Sequence, residues 1–166
     1  KKERRKRLRA YIFSVQVTFE VLRLMLERCD GDNQREIVEE AFQSFMLCLN
    51  EMVSEWQKSL DLRSNPNEGG QKEVLPGDEL ILLGAQLVLH CVPSWPSQAQ
   101  LIAAAALLES GISHSPFNPH LLLSAVGVYR KLNAGSRAME LYSELGVKQI
   151  QFESCSYTVL PALLDT

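Results

Sequence analysis

The side chains best suited to metal binding or nucleophilic chemistry are four cysteines and three histidines. They are Cys29, Cys48, Cys91, Cys155, His90, His114 and His120. No two cysteines form a C-x-x-C pair, and no histidine stands at zinc-ligand spacing from two of them. Three of the cysteines fall on apolar helical faces, which favours reduced, buried thiols and a cytoplasmic protein. The sequence therefore predicts no metal site.

Other chemical motifs are equally weak. Asp30, Gly31 and Asp32 resemble the start of a calcium loop, but the glycine is misplaced and the twelfth position is Ala41 rather than Glu. Neither a G-x-S-x-G elbow nor a phosphate-cradling glycine loop is present. We therefore expect no cofactor and no catalytic activity.

One strongly basic segment stands out at residues 1–9, which read KKERRKRLR and carry a charge of +6. The net charge is −3, so the remaining residues sum to −9. Candidate contacts to a polyanion such as ribosomal RNA, held by counterion release, are Arg4, Arg5, Lys6 and Arg9. The alternative is a solvated helix start. Cations oppose the dipole at a helix N-terminus, which suggests that the helix begins further upstream in a longer parent chain.

Two long helices are expected at residues 4–29 and 34–60, joined by a short turn around Gly31. Apolar residues recur at helical period in both. In the first helix these are Leu8, Ile12, Val15, Phe19, Leu22, Leu26 and Cys29, and in the second they are Ile37, Ala41, Phe45, Cys48, Met52 and Trp56. No stretch of about 18 apolar residues exists, so no membrane span is expected. No apolar signal core with a small-residue cleavage site follows the basic start, so no secretory leader is expected.

The rest of the chain predicts a loop followed by short helices. Residues 63–77 contain two prolines and three glycines and are expected to form a flexible loop. Residues 78–166 predict helices of about three turns, one of them ending just before Gly111. The predicted organisation is a long hairpin with a basic head (1–62), a loop (63–77) and a TPR-like stack (78–166), an all-α solenoid segment of antiparallel hairpins.

The TPR template fits residues 122–142. Large, small and aromatic residues fall at the expected spacings at Leu122, Ala125, Val126, Tyr129, Ala138 and Tyr142. Ala138 would let two helices approach closely, and Tyr142 would fill the gap beside Tyr129. Val126 replaces the usual Gly, and Ile150 replaces the usual Pro. The repeat is degenerate, and a plain helical hairpin is the alternative; in both cases these residues pack.

About half the chain, residues 85–165, resembles the auxiliary, non-catalytic subunit of the NatB N-terminal acetyltransferase. The most specific pieces are S-P-F-N-P-H-L-L-L at residues 115–123 and L-Y-S-E-L-G-V-K-Q-I-Q at residues 141–151. Departures are Phe117 for the usual Tyr and the loop at residues 65–70. The resemblance does not extend to residues 1–75.

The resemblance implies an α-solenoid that wraps a catalytic acetyltransferase subunit and places it at the ribosome. The acetyl-CoA site would lie on that partner, and the substrates would be nascent chains beginning Met-Asp, Met-Glu, Met-Asn or Met-Gln. Acetyl-CoA sites of this enzyme class use a Gly-containing basic loop at a helix N-terminus, and no such loop stands out here.

Three other functions stay open at this point. An RNA-binding pentatricopeptide repeat is suggested by residues 138–165, although the unit occurs once and the body is acidic. A generic TPR adaptor would need a carboxylate clamp, for which Arg130, Lys131, Asn133 and Arg137 are the only local candidates. An enzyme is disfavoured because no catalytic constellation is found.

Overall fold

Helices form the regular structure of the described residues, which are 2–28, 34–62, 74–90 and 97–146 of the computed structural model. They are α1 (Lys2–Arg28), α2 (Gln34–Ser59), α3 (Asp78–His90), α4 (Gln98–His114), α5 (Pro119–Lys131) and α6 (Gly135–Glu144). A short 3-10 helix, Leu60–Leu62, extends α2. The prediction of an all-α fold is confirmed, and the arrangement of the helices is solenoid-like.

The two long helices bury most of the described part of the stripes that their periodicity predicts, and Phe19 and Cys48 are half-buried. Leu8, Ile12 and Val15 of α1 are buried, as are Met52 and Trp56 of α2, and all five belong to one hydrophobic cluster. The side chains of Leu22, Leu26, Ile37 and Ala41, together with Cys29, lie outside the described residues. Hydrophobic burial along one stripe therefore fixes the α1–α2 hairpin.

From α2 onward, each helix packs on the next along the chain, in the order α2, α3, α4, α5, α6. The links from α4 to α5 and from α5 to α6 are only four and three residues long, so neighbouring helices must reverse direction. Such sequential packing is typical of solenoids. A further helix expected at residues 153–164 lies outside the described residues.

The start signals of α4 and α5 are encoded locally. Ser97 and Gln100 form a capping box, in which each side chain accepts a hydrogen bond from the backbone N–H of the other residue. Asn118 caps α5, and Pro119 occupies its first turn, where the missing N–H is not needed. These caps therefore define the residues at which α4 and α5 begin.

The expected end of α4 before Gly111 is wrong, because the helix continues to His114 and Gly111 lies inside it. A Cβ at Gly111 would lie 3.0 Å from Cγ2 of Ile81 and 3.2 Å from Cδ2 of Leu121. Glycine is therefore used here for the close approach of α3 and α5 to α4, and not for a left-handed helix terminus.

The end of the predicted loop is packed. Leu75 is buried, and a Cβ on Gly77 would clash with the hydroxyl of Ser59. Residues 63–73 lie outside the described residues, so the flexible loop and the three-part division stay predictions. One hydrophobic cluster extends from Leu8 on α1 to Tyr142 on α6, so the hairpin and the short helices share a core.

Candidate interaction site

The proposed repeat-packing residues lie at the interfaces of α5 and α6. Leu122, Ala125, Ala138 and Tyr142 are buried, and Tyr129 is half-buried. Ala138 has no exposed surface, as expected where two helices approach closely. Their burial agrees with a packing role, and their identity as a TPR signature stays a prediction.

A polar tie joins α4, α5 and α6 beside this packing. Oε1 of Glu109 accepts hydrogen bonds from Tyr129 Oη and Arg137 Nε, both 2.9 Å long, and Oε2 accepts one from Arg137 Nη2 at 2.9 Å. The Arg137 hydrogen bonds hold the pKa of Glu109 below its usual value, against the opposing effect of burial. Arg137 also contacts Glu140 at 2.9 Å.

This tie removes Arg137 from the carboxylate clamp that a generic TPR adaptor would need. Its guanidinium is already held by two carboxylates of the same chain, so a peptide carboxylate would have to displace one of them. Asn133 adopts a left-handed conformation, φ 57°, at the turn between α5 and α6. The clamp hypothesis therefore loses one of its four residues to a structural role.

A buried carboxylate at the start of α3 holds the turn before α5. Asp78 accepts hydrogen bonds from Ser115 Oγ (3.1 Å), Asn118 Nδ2 (2.8 Å) and the backbone N–H of Leu75 (3.1 Å). Asp78 is 1 % exposed, and burial raises the pKa of its carboxyl even though the hydrogen bonds oppose this. The Ser and Asn of the S-P-F-N motif are thus structural donors, while Phe117 is exposed.

The four candidate polyanion contacts divide into two pairs. Arg4 donates a hydrogen bond of 2.7 Å to the carbonyl of Lys58, and Arg5 donates one of 3.3 Å to the carbonyl of Leu62. These carbonyls lie at the C-terminal end of α2 and its 3-10 extension, where cations are favourable. Lys6 and Arg9 are exposed. Two members of the predicted site therefore have a structural role.

A shallow cleft of about 230 Å³ lies between the start of α1 and the end of α2. Its lining residues are Arg4, Arg7, Leu8, Tyr11, Glu55, Lys58, Ser59 and Leu62. Lys58 is paired with Glu55 at 2.7 Å, and Ser59 donates its hydroxyl proton to the carbonyl of Trp56. Neither arrangement activates the Lys58 amine or the Ser59 hydroxyl as a nucleophile.

The histidines and cysteines have no shared site in the described part of the chain. His114 packs edge-on against Trp56, with ring centroids 5.2 Å apart, and His90 and His120 are exposed. No group of three His, Cys, Asp or Glu side chains among the described residues could hold a metal ion. Cys48 is a half-buried free thiol, and the other three cysteines lie outside the described residues. Among the described helices, none has an apolar stretch of the length that a membrane span needs.

The described residues thus form an all-α, solenoid-like stack in which polar contacts hold neighbouring helices together. A family model described as the N-acetyltransferase B complex (NatB) non catalytic subunit matches residues 2–165. The chain belongs to this family. The match includes the α1–α2 hairpin, which the sequence resemblance left out.

Individual relatives agree with this assignment. The rat and mouse proteins named "N-alpha-acetyltransferase 25, NatB auxiliary subunit" are each 41 % identical over 80 residues, covering 48 % of this chain and 8 % of the relative. The human protein of the same name is 41 % identical over 54 residues, covering 32 % of this chain and 6 % of the relative. The chain therefore matches only a small part of the length of these relatives. No solved structure matches it.

Proposed function

We propose that this chain is part of a scaffold that binds and positions the catalytic subunit of a NatB-type N-terminal acetyltransferase. The observation that carries the proposal is the family match over residues 2–165. The use of polar groups supports it, because Asp78, Glu109 and Arg137 bond other parts of the same chain. A protein of this kind acts by burying surface against its partner.

The catalytic partner would supply the acetyl-CoA site and the chemistry. Its substrates would be nascent chains beginning Met-Asp, Met-Glu, Met-Asn or Met-Gln, as the resemblance implies, and the complex would work in the cytoplasm. The residues of this chain would contribute a binding surface to this complex and no catalytic groups.

The test is co-expression of the full-length subunit with the catalytic subunit, followed by size-exclusion chromatography and peptide acetylation. We expect a stoichiometric complex that acetylates a Met-Asp peptide and leaves a Ser-Ala peptide unmodified. The auxiliary subunit alone should acetylate neither peptide. Failure to co-purify, or acetylation by the subunit alone, would contradict the proposal.

The basic head is proposed as an electrostatic contact to the ribosome. Lys6 and Arg9 are exposed on α1, so their charges can meet phosphates without disturbing the fold. In the full-length complex, Lys6→Glu and Arg9→Glu should each reduce salt-sensitive co-sedimentation with ribosomes. Lys131→Glu makes the same charge change at an exposed lysine on α5 and is the matched control. Equal losses in the head variants and the control would contradict a specific role for the head.

The alternative function, an RNA-binding pentatricopeptide repeat, has less support than the scaffold. The chain outside the head sums to −9, which opposes binding along a phosphate backbone. The family match also favours the scaffold over a pentatricopeptide array.

A further inference from the structure

The cleft between the start of α1 and the end of α2 has an apolar floor. Leu8 and Leu62 line it and are 7 % and 2 % exposed, so packed aliphatic side chains form its base. Ser59 also lines the cleft, but its hydroxyl already donates to the carbonyl of Trp56 at 2.6 Å. The floor therefore offers an occupant nonpolar contact.

The rim of the same cleft is basic. Arg4 and Arg7 of α1 and Lys58 of α2 line it, and all three are exposed. The one carboxylate in the lining, Glu55, is held by Lys58 at 2.7 Å. Three cations and one carboxylate give the lining a net charge of +2. Arg7 is paired only loosely with Glu3, at 3.7 Å between two highly exposed side chains, so an anionic occupant can readily compete for it.

The cleft uses one face of the basic head, and the other exposed cations lie on the opposite face. At 3.6 residues per turn, Arg4, Arg7 and Tyr11 fall on one side of α1, while Lys6 and Arg9 are centred about 180° around the helix axis. Both faces attract anions, but only the cleft face combines cations with an apolar floor. The two faces can therefore be distinguished by substitution.

The size and polarity of the cleft limit its occupant. Its volume of about 230 Å³ is smaller than the roughly 300–1,000 Å³ of most small-molecule sites, so it suits a single large side chain. Tyr11 lines the cleft, and its buried hydroxyl has no hydrogen-bond partner among the described residues. An occupant that brings an acceptor could satisfy this hydroxyl. An apolar side chain accompanied by carboxylates meets all of these conditions.

We propose that this cleft docks a short acidic segment of a protein partner, in which one apolar side chain is flanked by carboxylates. The apolar side chain lies against Leu8, Leu62 and the ring of Tyr11. The carboxylates pair with Arg7 and Lys58, and the guanidinium of Arg7 can bind one of them through two parallel N–H groups. Charge complementarity and the apolar floor carry this inference, which does not depend on the proposed function.

Fluorescence anisotropy with defined peptides tests the proposal in the full-length subunit purified with its catalytic subunit. The probe is Glu-Glu-Leu-Glu-Glu with fluorescein on its N-terminal amine, so that no free amine is available for acetylation. Gln-Gln-Leu-Gln-Gln and Glu-Glu-Gly-Glu-Glu, labelled in the same way, are the controls for charge and for the apolar side chain. We expect saturable binding of the probe and at least about fivefold weaker binding of each control peptide.

Variants on the two faces of α1 separate the cleft from general electrostatic attraction. Arg7→Gln should weaken binding of the probe about fivefold, because it removes an ion pair with the peptide. Arg9→Gln makes the same charge change on the opposite face and should alter the affinity by less than about twofold. Glu55→Gln should strengthen binding about twofold, because it removes the lining carboxylate and releases Lys58. The melting temperature of each variant shows whether its fold is retained.

Four results would overturn the proposal. Absence of saturable binding of the probe would show that the cleft is not a docking site, and equal affinity for the glycine peptide would show that the floor is not used. Equal losses in Arg7→Gln and Arg9→Gln would show that the head attracts anions without a defined site. Tighter binding of a thymidine oligonucleotide with four phosphates, lost in Arg7→Gln, would assign the cleft to nucleic acid. None of these results bears on whether the subunit binds its catalytic partner.

Discussion

The carboxylate of Glu109 on α4 accepts two hydrogen bonds from the guanidinium of Arg137 on α6, each 2.9 Å long, across the intervening helix α5. Both side chains are about one-third exposed, so solvent screens part of their attraction. The fork geometry makes the pair directional, because only arginine presents two parallel N–H groups to a carboxylate.

Replacing Arg137 should loosen this end of the stack. We expect Arg137→Ala to lower the free energy of unfolding by about 1 kcal/mol, since it removes a screened bidentate pair. Glu140→Gln removes only the more exposed partner of Arg137. It should lower the free energy of unfolding by a few tenths of the loss expected for Arg137→Ala. Urea unfolding of the purified chain compares the two variants. Equal effects would show that the bond to Glu109 adds nothing beyond a surface ion pair.

The same pair should make stability depend on pH in the acid range. The pKa of Glu109 is lower in the folded chain than its ordinary value of 4.5, because Arg137 binds the ionised form. The unfolded chain therefore binds the proton more readily, and the contribution is full above pH 4.5 and is lost as the pH falls below it. Urea midpoints of wild type and Glu109→Gln should converge between pH 5 and pH 3; a constant difference would contradict this sign.

Asp78 offers the opposite case, a carboxylate whose pKa is raised by burial. Asp78→Ala leaves three buried donors without an acceptor and should cost about 2–4 kcal/mol. Asp78→Asn keeps a carbonyl oxygen for Asn118 and Leu75, and its amide can donate to Ser115, so it should cost less than half as much. Thermal and urea unfolding at pH 7 distinguish the pair, and equal losses would show that hydrogen bonding at this site is unimportant.

The sign of the pH effect at Asp78 follows from the same shift. The folded state holds the Asp78 proton more tightly than the unfolded state, so the stability of the wild type falls as the pH rises through the raised pKa. The neutral Asp78→Asn variant lacks this loss. Its stability relative to wild type should therefore improve from pH 4 to pH 7, and a change in the other direction would contradict burial as the dominant cause.

Two glycine-to-alanine substitutions should have opposite effects. Gly111→Ala places a methyl 3.0 Å from Ile81 and 3.2 Å from Leu121, both fully buried, and overpacking there should outweigh the gain in helix propensity by about 1 kcal/mol. Gly127→Ala, in α5, meets no atom within 4 Å and should stabilise by about 0.5–1 kcal/mol. Melting temperatures of the two variants test the packing argument, which fails if both shift upward.

Substitutions in the basic head should affect stability at the two residues that bond α2 and leave it unchanged at the two exposed residues. Arg4→Gln with Arg5→Gln removes two cations from the carbonyl end of α2 and should cost about 1 kcal/mol. Lys6→Gln with Arg9→Gln should leave the melting temperature unchanged, because neither side chain is packed. Differential scanning fluorimetry gives both values, and destabilisation by the second pair would contradict the division.

Periodicity predicted the parts of the fold that depend on burial along a helix. The stripe through Leu8, Ile12 and Val15 is buried as expected, and the position of the capping asparagine, Asn118, follows from local sequence. Phe13 and Val17 have the same i, i+4 spacing but are exposed, because periodicity alone does not tell which of two apolar stripes faces the core.

The polar contacts could not be predicted in the same way. Asp78 bonds residues 37 and 40 positions away, and Glu109 bonds Arg137 28 positions away, so no short window contains both partners. Glycine often marks a helix end, which is the basis of the prediction at Gly111, whereas the close approach of Ile81 and Leu121 depends on tertiary packing. Local sequence signals thus predict the individual helices. The contacts between helices join residues far apart in the chain and are seen only in the structure.

The bond between Glu109 and Arg137 has a mechanical consequence, because it skips a helix. In a stack where each helix touches its immediate neighbours, curvature is the sum of the angles at successive interfaces. Glu109 and Arg137 act as a brace across α5, so bending at the α4–α5 interface strains their hydrogen bonds unless the α5–α6 interface adjusts with it. Bending stiffness is therefore higher at this end of the stack, where contacts within the chain already set the arrangement of α4, α5 and α6.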